Sequence, residues 1–414
     1  MSATNAQAGA GTGDTVLDFD PFSDVFFNNP YDTYRRMRDE APVYWNETYG
    51  FYAITRHADV SDAYKNWEVF SSSRGVDLDM IKNGEWVPPL IIMKDPPEHN
   101  RMRVLVSRVF TPRAIGALEP MVREVITSFL DKALPADGSA DSFDVVHDWS
   151  AFFPVEIITR MLGVPEESRQ DIRLWLDRTL HRESGQISMP EDGMAAAMES
   201  GLFYFNLVAE KRANPGDDML SDLIRAELKN DDGTITQLDD IEVTGFASLL
   251  GGAGAETVTK LIGNAAVLFA ENPDQWALVK SDPDKYIPMA VEEILRMHPP
   301  AQYVGRYAMK DFELHGVTIK GGNPVLIVNG SASRDERVYE DPDTFNIERK
   351  QGQNVGFGYG IHSCLGAALA RMESCIALEL MVERFPNFTV DLDNCVRVNM
   401  TNVAGFSHVP VKVH

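Results

Sequence analysis

Residues Phe357-Gly358-Tyr359-Gly360-Ile361-His362-Ser363-Cys364-Leu365-Gly366 form a glycine-loosened run that delivers one thiol to the start of an apolar helical segment. A thiol at a helix N-terminus is pulled toward its ionised form by the partial positive charge there, and the thiolate is the form that binds metal. Glycines on either side let backbone N–H groups turn toward the sulfur and let a flat macrocycle approach closely. A free cysteine is more often a small buried hydrophobe. The glycines crowded around Cys364 are what argue for a ligand instead.

The run resembles the haem-binding loop of the cytochrome P-450 monooxygenases, matching it at Phe357, Gly358, Gly360, His362, Cys364 and Gly366. Further elements of that family follow in the expected order from about Pro30 to the C-terminus, and so dense a pattern is far more specific than a lone glycine motif. The resemblance implies a mainly α fold with small β-sheets, one large domain over residues 15–414 enclosing haem b, and Cys364 as the ligand to its iron. It further implies a soluble bacterial type of monooxygenase that inserts one atom of dioxygen into a lipophilic small molecule. Electrons would come from NAD(P)H through ferredoxin reductase and ferredoxin. Peroxide-driven relatives tend to lack an acid–threonine pair, which this chain carries at Glu256-Thr257; a haem-based sensor or carrier is the rival from another class.

The 414 residues contain no Ser/Gly/Pro-rich linker, charge block or repeat that would divide them, so one large domain is the simplest reading. Residues 1–14, rich in Ala, Gly, Ser and Thr, read as a disordered tail. Neither a leader pattern nor a sustained charge-free apolar span occurs, and the expectation is a cytoplasmic monomer without a membrane anchor. Lys and Arg total 38 against 62 acidic residues, and the net charge of −24 disfavours nucleic-acid binding. Cys364, Cys375 and Cys395 are the only cysteines and show no zinc or disulfide spacing, which fits a reducing compartment.

After Asn28-Asn29-Pro30, residues 31–38 read as a capped amphipathic helix, followed by a hairpin over Val43-Tyr44-Trp45 and residues 50–54. From Pro112 to Phe269 the apolar residues recur mostly at helical spacing and predict a helical bundle. Strand-like pieces return at Phe312 to Ile319 and Val325 to Val328, separated by a turn at Lys320-Gly321-Gly322-Asn323-Pro324.

Inside a long apolar helical pattern from about Asp240 to Glu271, the run Gly251-Gly252-Ala253-Gly254-Ala255-Glu256-Thr257 carries three glycines. Each costs about 1 kcal/mol against alanine, so packing or function must require them. The Thr257 hydroxyl can bond back to the Ala253 carbonyl four residues earlier. By resemblance, Ala253 and Gly254 lie against haem, Thr257 serves oxygen activation and Glu256 relays protons from solvent. Val258 stands where many relatives carry a second hydroxyl. Glu293 and Arg296, three apart on one helix face before Pro299-Pro300, resemble the family's structural ExxR element. His99 and Arg103, four apart on the helix after Asp95-Pro96-Pro97, share a face suited to one anionic group. With Arg306 and His362, the resemblance makes them the contacts to the haem propionates.

The family's variable pocket would draw on Val76, Met80, Trp86, Leu90, Ile91, Leu249, Val304 and Phe406, a mainly apolar set that suits a lipophilic substrate. Gly185 to Pro190 reads as a flexible connection between lid helices. Arg101, Arg108, Arg113, Arg349, Lys350 and Arg371 fall in segments near the thiolate side in that family, a basic patch suited to steering an acidic ferredoxin.

Overall fold

The computed structural model describes residues 16–83, 87–229, 233–350 and 352–414, so the tail through residue 14 and Trp86 lie outside the described residues. Helix α1 (Tyr31–Glu40) starts where expected, and its cap comes from Asn29, whose Oδ1 accepts from the Tyr31 N–H at 3.3 Å. Strands β1 (Val43–Asn46) and β2 (Phe51–Ile54) form the hairpin. The chain continues through β3 (Phe70–Ser71), α2 (Glu98–Val106), α3 (Phe153–Leu162), α4 (Arg169–Leu180), α5 (Glu191–Ala213), α6 (Asp240–Glu271) and α7 (Pro283–Met297). It ends with β4 (Val304–Ala308), β5 (Phe312–Leu314), β6 (Val317–Ile319), β7 (Pro324–Ile327), α8 (Ala367–Arg384) and the pair β8 (Val396–Arg397) and β9 (Phe406–His408).

One five-stranded sheet has the order β1-β2-β7-β4-β3, and β2 and β7 run parallel with Tyr52 opposite Val325 and Ile54 opposite Ile327. Residues 312–319 correct the expectation of a single strand. The chain reverses after Leu314 through His315 at φ 50° and Gly316 at φ 76°, two positive values that match the twist of a two-residue hairpin. The expected bundle over 112–269 is helical with two exceptions: Ser142–Asp144 pairs with Pro410–Val413, and Leu228–Lys229 pairs with Ile235–Thr236.

Helix α6 is the core's axis. It opens on a capping box, with the Glu242 N–H donating to Asp239 Oδ1 at 2.8 Å and the Asp239 N–H donating back to Glu242 Oε2 at 3.1 Å. From Leu261 to Phe269 it is buried on every side, the mark of a helix with no solvent face. Its glycines admit three neighbours. A Cβ on Gly251 would collide with Tyr204 Oη of α5, one on Gly252 would sit 3.3 Å from Leu176 of α4, and one on Gly254 would sit 3.1 Å from Ile158 of α3. Gly254, expected against the cofactor, is therefore placed against another helix. Gly251→Ala is expected to destabilise the fold by about 1–3 kcal/mol through overpacking. Thermal unfolding checks this, and an unchanged midpoint would show that Tyr204 yields freely.

At the start of the connection over Gly185 to Pro190 the chain contacts the N-terminal segment and Asn399. The Gly185 N–H donates to Phe22 O at 2.7 Å, Arg182 N–H to Asn399 O at 3.0 Å, and Ile187 packs on the N-terminal aromatic cluster. Among the described residues no helix is long and apolar enough to cross a membrane.

Candidate active site

The loop over 357–366 is closed by the Cys364 N–H donating to Phe357 O at 2.9 Å. Gly360 sits at φ 71°, and a Cβ there would meet Tyr64 O at 2.7 Å, so both backbone angle and space require glycine. Gly366 caps α8 and turns its N–H to the Cys364 sulfur. Cys364 is accessible yet closely surrounded by protein, as at the floor of a recess. Burial pushes its thiol above the ordinary 9.0, and the Gly366 N–H, Arg103 and Arg371 offset only part of that. Desolvation thus opposes ionisation here, and a positive group bound at the sulfur would favour the thiolate.

Four basic side chains gather beside the loop. Arg103 Nη2 donates to Ser363 O at 3.0 Å, and the His99 and His362 rings meet edge to face at 4.5 Å. Burial, then Arg306, His99 and Arg103, drive His362 down to about 2, and burial lowers His99 too, so both imidazoles are neutral at neutral pH. His362 Nε2 lies 3.2 Å from Ser72 Oγ, whereas His99 Nε2 is buried with no hydrogen-bond partner among the described residues. Arg306, 4% exposed in β4, donates to Gly305 O at 2.8 Å and pairs with no carboxylate among them. The nearby acid, Asp95, is already engaged by Ser71 Oγ at 2.5 Å and the Ser72 N–H at 3.1 Å. Buried cations and an orphaned ring nitrogen are costly unless an anion meets them. The donor set fits a ligand bearing carboxylates.

On α6, Thr257 Oγ1 donates to Ala253 O at 3.2 Å, the expected back-bond, and both residues remain accessible in mid-helix. Val258 is buried, and the next hydroxyl, Thr259, is used on Ser150 O at 2.7 Å. Glu256 is not at the surface: it is 5% exposed, with Oε2 2.9 Å from Lys260 Nζ. Asp177 of α4 joins this cluster and holds Arg173 at 3.1 Å. Sequence reasoning names neither Lys260 nor Asp177. The i, i+4 spacing signals the first; nothing local signals the second.

Burial, then the Glu256 charge, pushes Asp177 up to about 7 from 3.8. Between those values the native state holds a proton that the unfolded chain has released, so stability falls as pH rises through that window and levels off above it. Asp177→Asn is expected to flatten this decline. Unfolding midpoints measured against pH for both proteins decide, and identical slopes would remove Asp177 as the titrating group.

Glu293 and Arg296 are both fully buried and joined by two bonds of 2.8 Å. Arg349 adds a third contact to Glu293 at 3.0 Å, the Asn346 N–H a fourth at 3.1 Å, and Arg296 Nη1 reaches Ser333 O and Pro342 O. Arg349 thus belongs to this buried knot and not to a docking patch. Arg101 is paired with Glu242, Arg371 with Glu292, and Arg108 donates to Glu227 O. Of the six expected patch cations, Arg113 and Lys350 are the two without a partner among the described residues.

The candidate pocket residues divide. Leu90 packs on α6, 3.0 Å from where a Gly245 Cβ would sit, one turn from Leu249. Val76 O accepts from the Gly305 N–H at 2.7 Å, next to Val304, and Met80 folds against Gly75. Ile91 is a core residue, 5% exposed. Phe406 lines a different cavity, with Asn264 and Arg397.

The cytochrome P-450 family model matches residues 194–412. A protein named cytochrome P-450 123 from Mycobacterium tuberculosis is 42% identical over 405 residues, covering 97% of this chain and 98% of its own. Erythromycin C-12 hydroxylase of Saccharopolyspora erythraea is 36% identical over 91% of this chain and 92% of its own. The crystal structure of CYP109E1 from Bacillus megaterium in complex with testosterone superposes with a TM-score of 0.84 at 31% identity, covering 93% of this chain and 98% of that one.

Proposed function

The chain belongs to the cytochrome P-450 family, and from that premise we propose that it is a cytoplasmic haem-thiolate hydroxylase of a lipophilic small molecule, driven by NAD(P)H through ferredoxin reductase and ferredoxin. The observation that carries this reading is a recessed thiol beside basic side chains that lack acids of their own. Haem fits these residues. Cys364 would hold the iron, with the Gly366 N–H on its sulfur; Arg103, Arg306, His99 and His362 would hold the propionates; and Phe357 and Gly358 would form the loop side. When bound, haem supplies the dioxygen and one-electron chemistry that side chains lack.

The remaining tasks fall to the chain. Arg103 and Arg371 favour the ionised sulfur. Thr257, held by Ala253 O, presents its hydroxyl on the accessible face of α6. Asp177, partly open to solvent and titrating near neutrality, both takes and gives protons at working pH, and it adjoins buried Glu256, one residue from Thr257. Thr257→Ala is expected to keep NAD(P)H consumption while product per NAD(P)H falls about tenfold, the missing electrons appearing as peroxide. Full coupling in that variant would contradict the assignment.

Support for a bulky lipophilic substrate comes from the apolar candidates around α6 and from the relatives, one named for erythromycin and one crystallised with testosterone. For the ferredoxin, Arg113 and Lys350 are the two of the six expected patch cations that have no partner among the described residues. The test is substrate-dependent NAD(P)H consumption with a surrogate ferredoxin system, together with one labelled oxygen from dioxygen in the product. Turnover with peroxide alone would favour a peroxygenase, and none with any electron source a sensor or carrier.

A further inference from the structure

A second cavity, of about 700 Å³, lies between the C-terminal half of α6, the start of α1, the end of α7 and the β8–β9 pair. Cys364, His99, Arg103, Arg306 and His362 take no part in its wall. The α6 residues in its wall, Asn264 to Glu271, lie roughly 10–21 Å along the helix from Thr257 at ~1.5 Å per residue. It is a separate site.

Three polar groups in this wall have no hydrogen-bond or ion-pair partner among the described residues, although the Glu271 charge acts on Arg397 from a distance. Asn264 is 3% exposed; its Nδ2 donates to His298 O at 3.1 Å, which fixes the amide orientation, and its Oδ1 has no hydrogen-bond partner. Arg397 makes no hydrogen bond or ion pair with any described residue, and its guanidinium lies 4.4 Å from the centre of the Phe406 ring. Glu271 stands exposed at the end of α6, likewise unpaired among the described residues. The other charges are satisfied: Arg35 by Asp32 at 3.4 Å and Arg334 by Asp343 at 3.1 Å.

Tyr31 adds a donor. Arg334 Nη2 lies 3.4 Å from His298 Nε2, and His298 Nδ1 lies 3.0 Å from Tyr31 Oη. A guanidinium only donates, so Nε2 accepts, Nδ1–H donates to the phenol, and the Tyr31 O–H is left to donate into the cavity. Burial and the neighbouring Arg334 charge keep His298 neutral, as that arrangement needs.

The wall therefore offers a cation with an O–H donor, an amide acceptor with a carboxylate, and apolar surface from Phe406, Phe345 and Val267. A simple anion would leave Asn264 Oδ1 unmet, and a simple cation would leave Arg397 unmet. We propose that this cavity binds an amino-acid-type zwitterion with an apolar side chain, its carboxylate on Arg397 and Tyr31, its ammonium on Asn264 Oδ1 and Glu271, and its side chain against Phe406. Buried Asn264 Oδ1 and the partly buried Arg397 are both met only by the complete ligand, which gives the site its selectivity.

Calorimetry on the holoenzyme with its haem pocket blocked by imidazole tests this, using L-phenylalanine, phenethylamine, which lacks the carboxylate, and hydrocinnamate, which lacks the amine. Phenylalanine is expected to bind about tenfold more tightly than either analogue, the loss expected for one charge-assisted contact. Arg397→Gln should weaken phenylalanine and hydrocinnamate about tenfold and leave phenethylamine unchanged, with the haem spectrum intact. Equal affinity for the three probes, displacement of phenylalanine by imidazole, or indifference to Arg397→Gln would each overturn the proposal.

Discussion

Glu293→Ala is expected to lower the free energy of unfolding by about 3–5 kcal/mol, the loss typical when one member of a buried ion pair is removed. Ordinary domains have about 5–15 kcal/mol in all, so little folded protein should survive. The carboxylate has no exposed surface and answers Arg296, Arg349 and the Asn346 N–H together. Without it two guanidinium groups face each other in the interior. Burial alone would raise the Glu293 pKa, but Arg296, the Asn346 N–H and Arg349 prevail and hold it below 4.5. This contribution is therefore present above the unfolded value and lost as pH falls through the lowered native one. Glu293→Gln, which keeps the shape and part of the hydrogen bonding, should lose less. Urea unfolding of both variants measures the difference, and a loss below about 1 kcal/mol for alanine would show the knot to be replaceable.

Cys364→Ser is expected to reduce product formation by several orders of magnitude while the chain still folds. Serine is nearly isosteric, but its hydroxyl stays neutral and does not supply the electron density a thiolate gives to its metal. Cys375→Ser and Cys395→Ser serve as controls. Cys375 is half-buried in α8, where burial pushes its thiol up to about 11, and Cys395 lies next to β8. Both controls should keep activity. Retained turnover in Cys364→Ser would remove the sulfur from the chemistry.

What could be read before folding follows from how local each signal is. The Cys364 loop was legible because its glycines, its closing hydrogen bond and its thiol all lie within ten residues. The α6 helix and the Thr257 back-bond were legible for the same reason, since both depend on i to i+4 spacing. The hairpin turn at His315-Gly316 carries a signal in its glycine, but the flanking apolar residues read as one continuous strand-like piece. Long-range partners had no such signal. Arg349 reaches Glu293 across 56 residues and Asp177 reaches Glu256 from another helix, so neither pairing leaves a trace in local spacing. Gly254 shows a subtler limit: a missing side chain reveals that something comes close, and only the packed helices reveal that it is Ile158.

The most direct measurement is the absorbance spectrum of the purified holoprotein after reduction and addition of carbon monoxide. A thiolate-type carbonyl spectrum, lost in Cys364→Ser and kept in the two control variants, is the predicted result. An imidazole-type spectrum, or a protein that stays colourless after haem is supplied, would contradict the account.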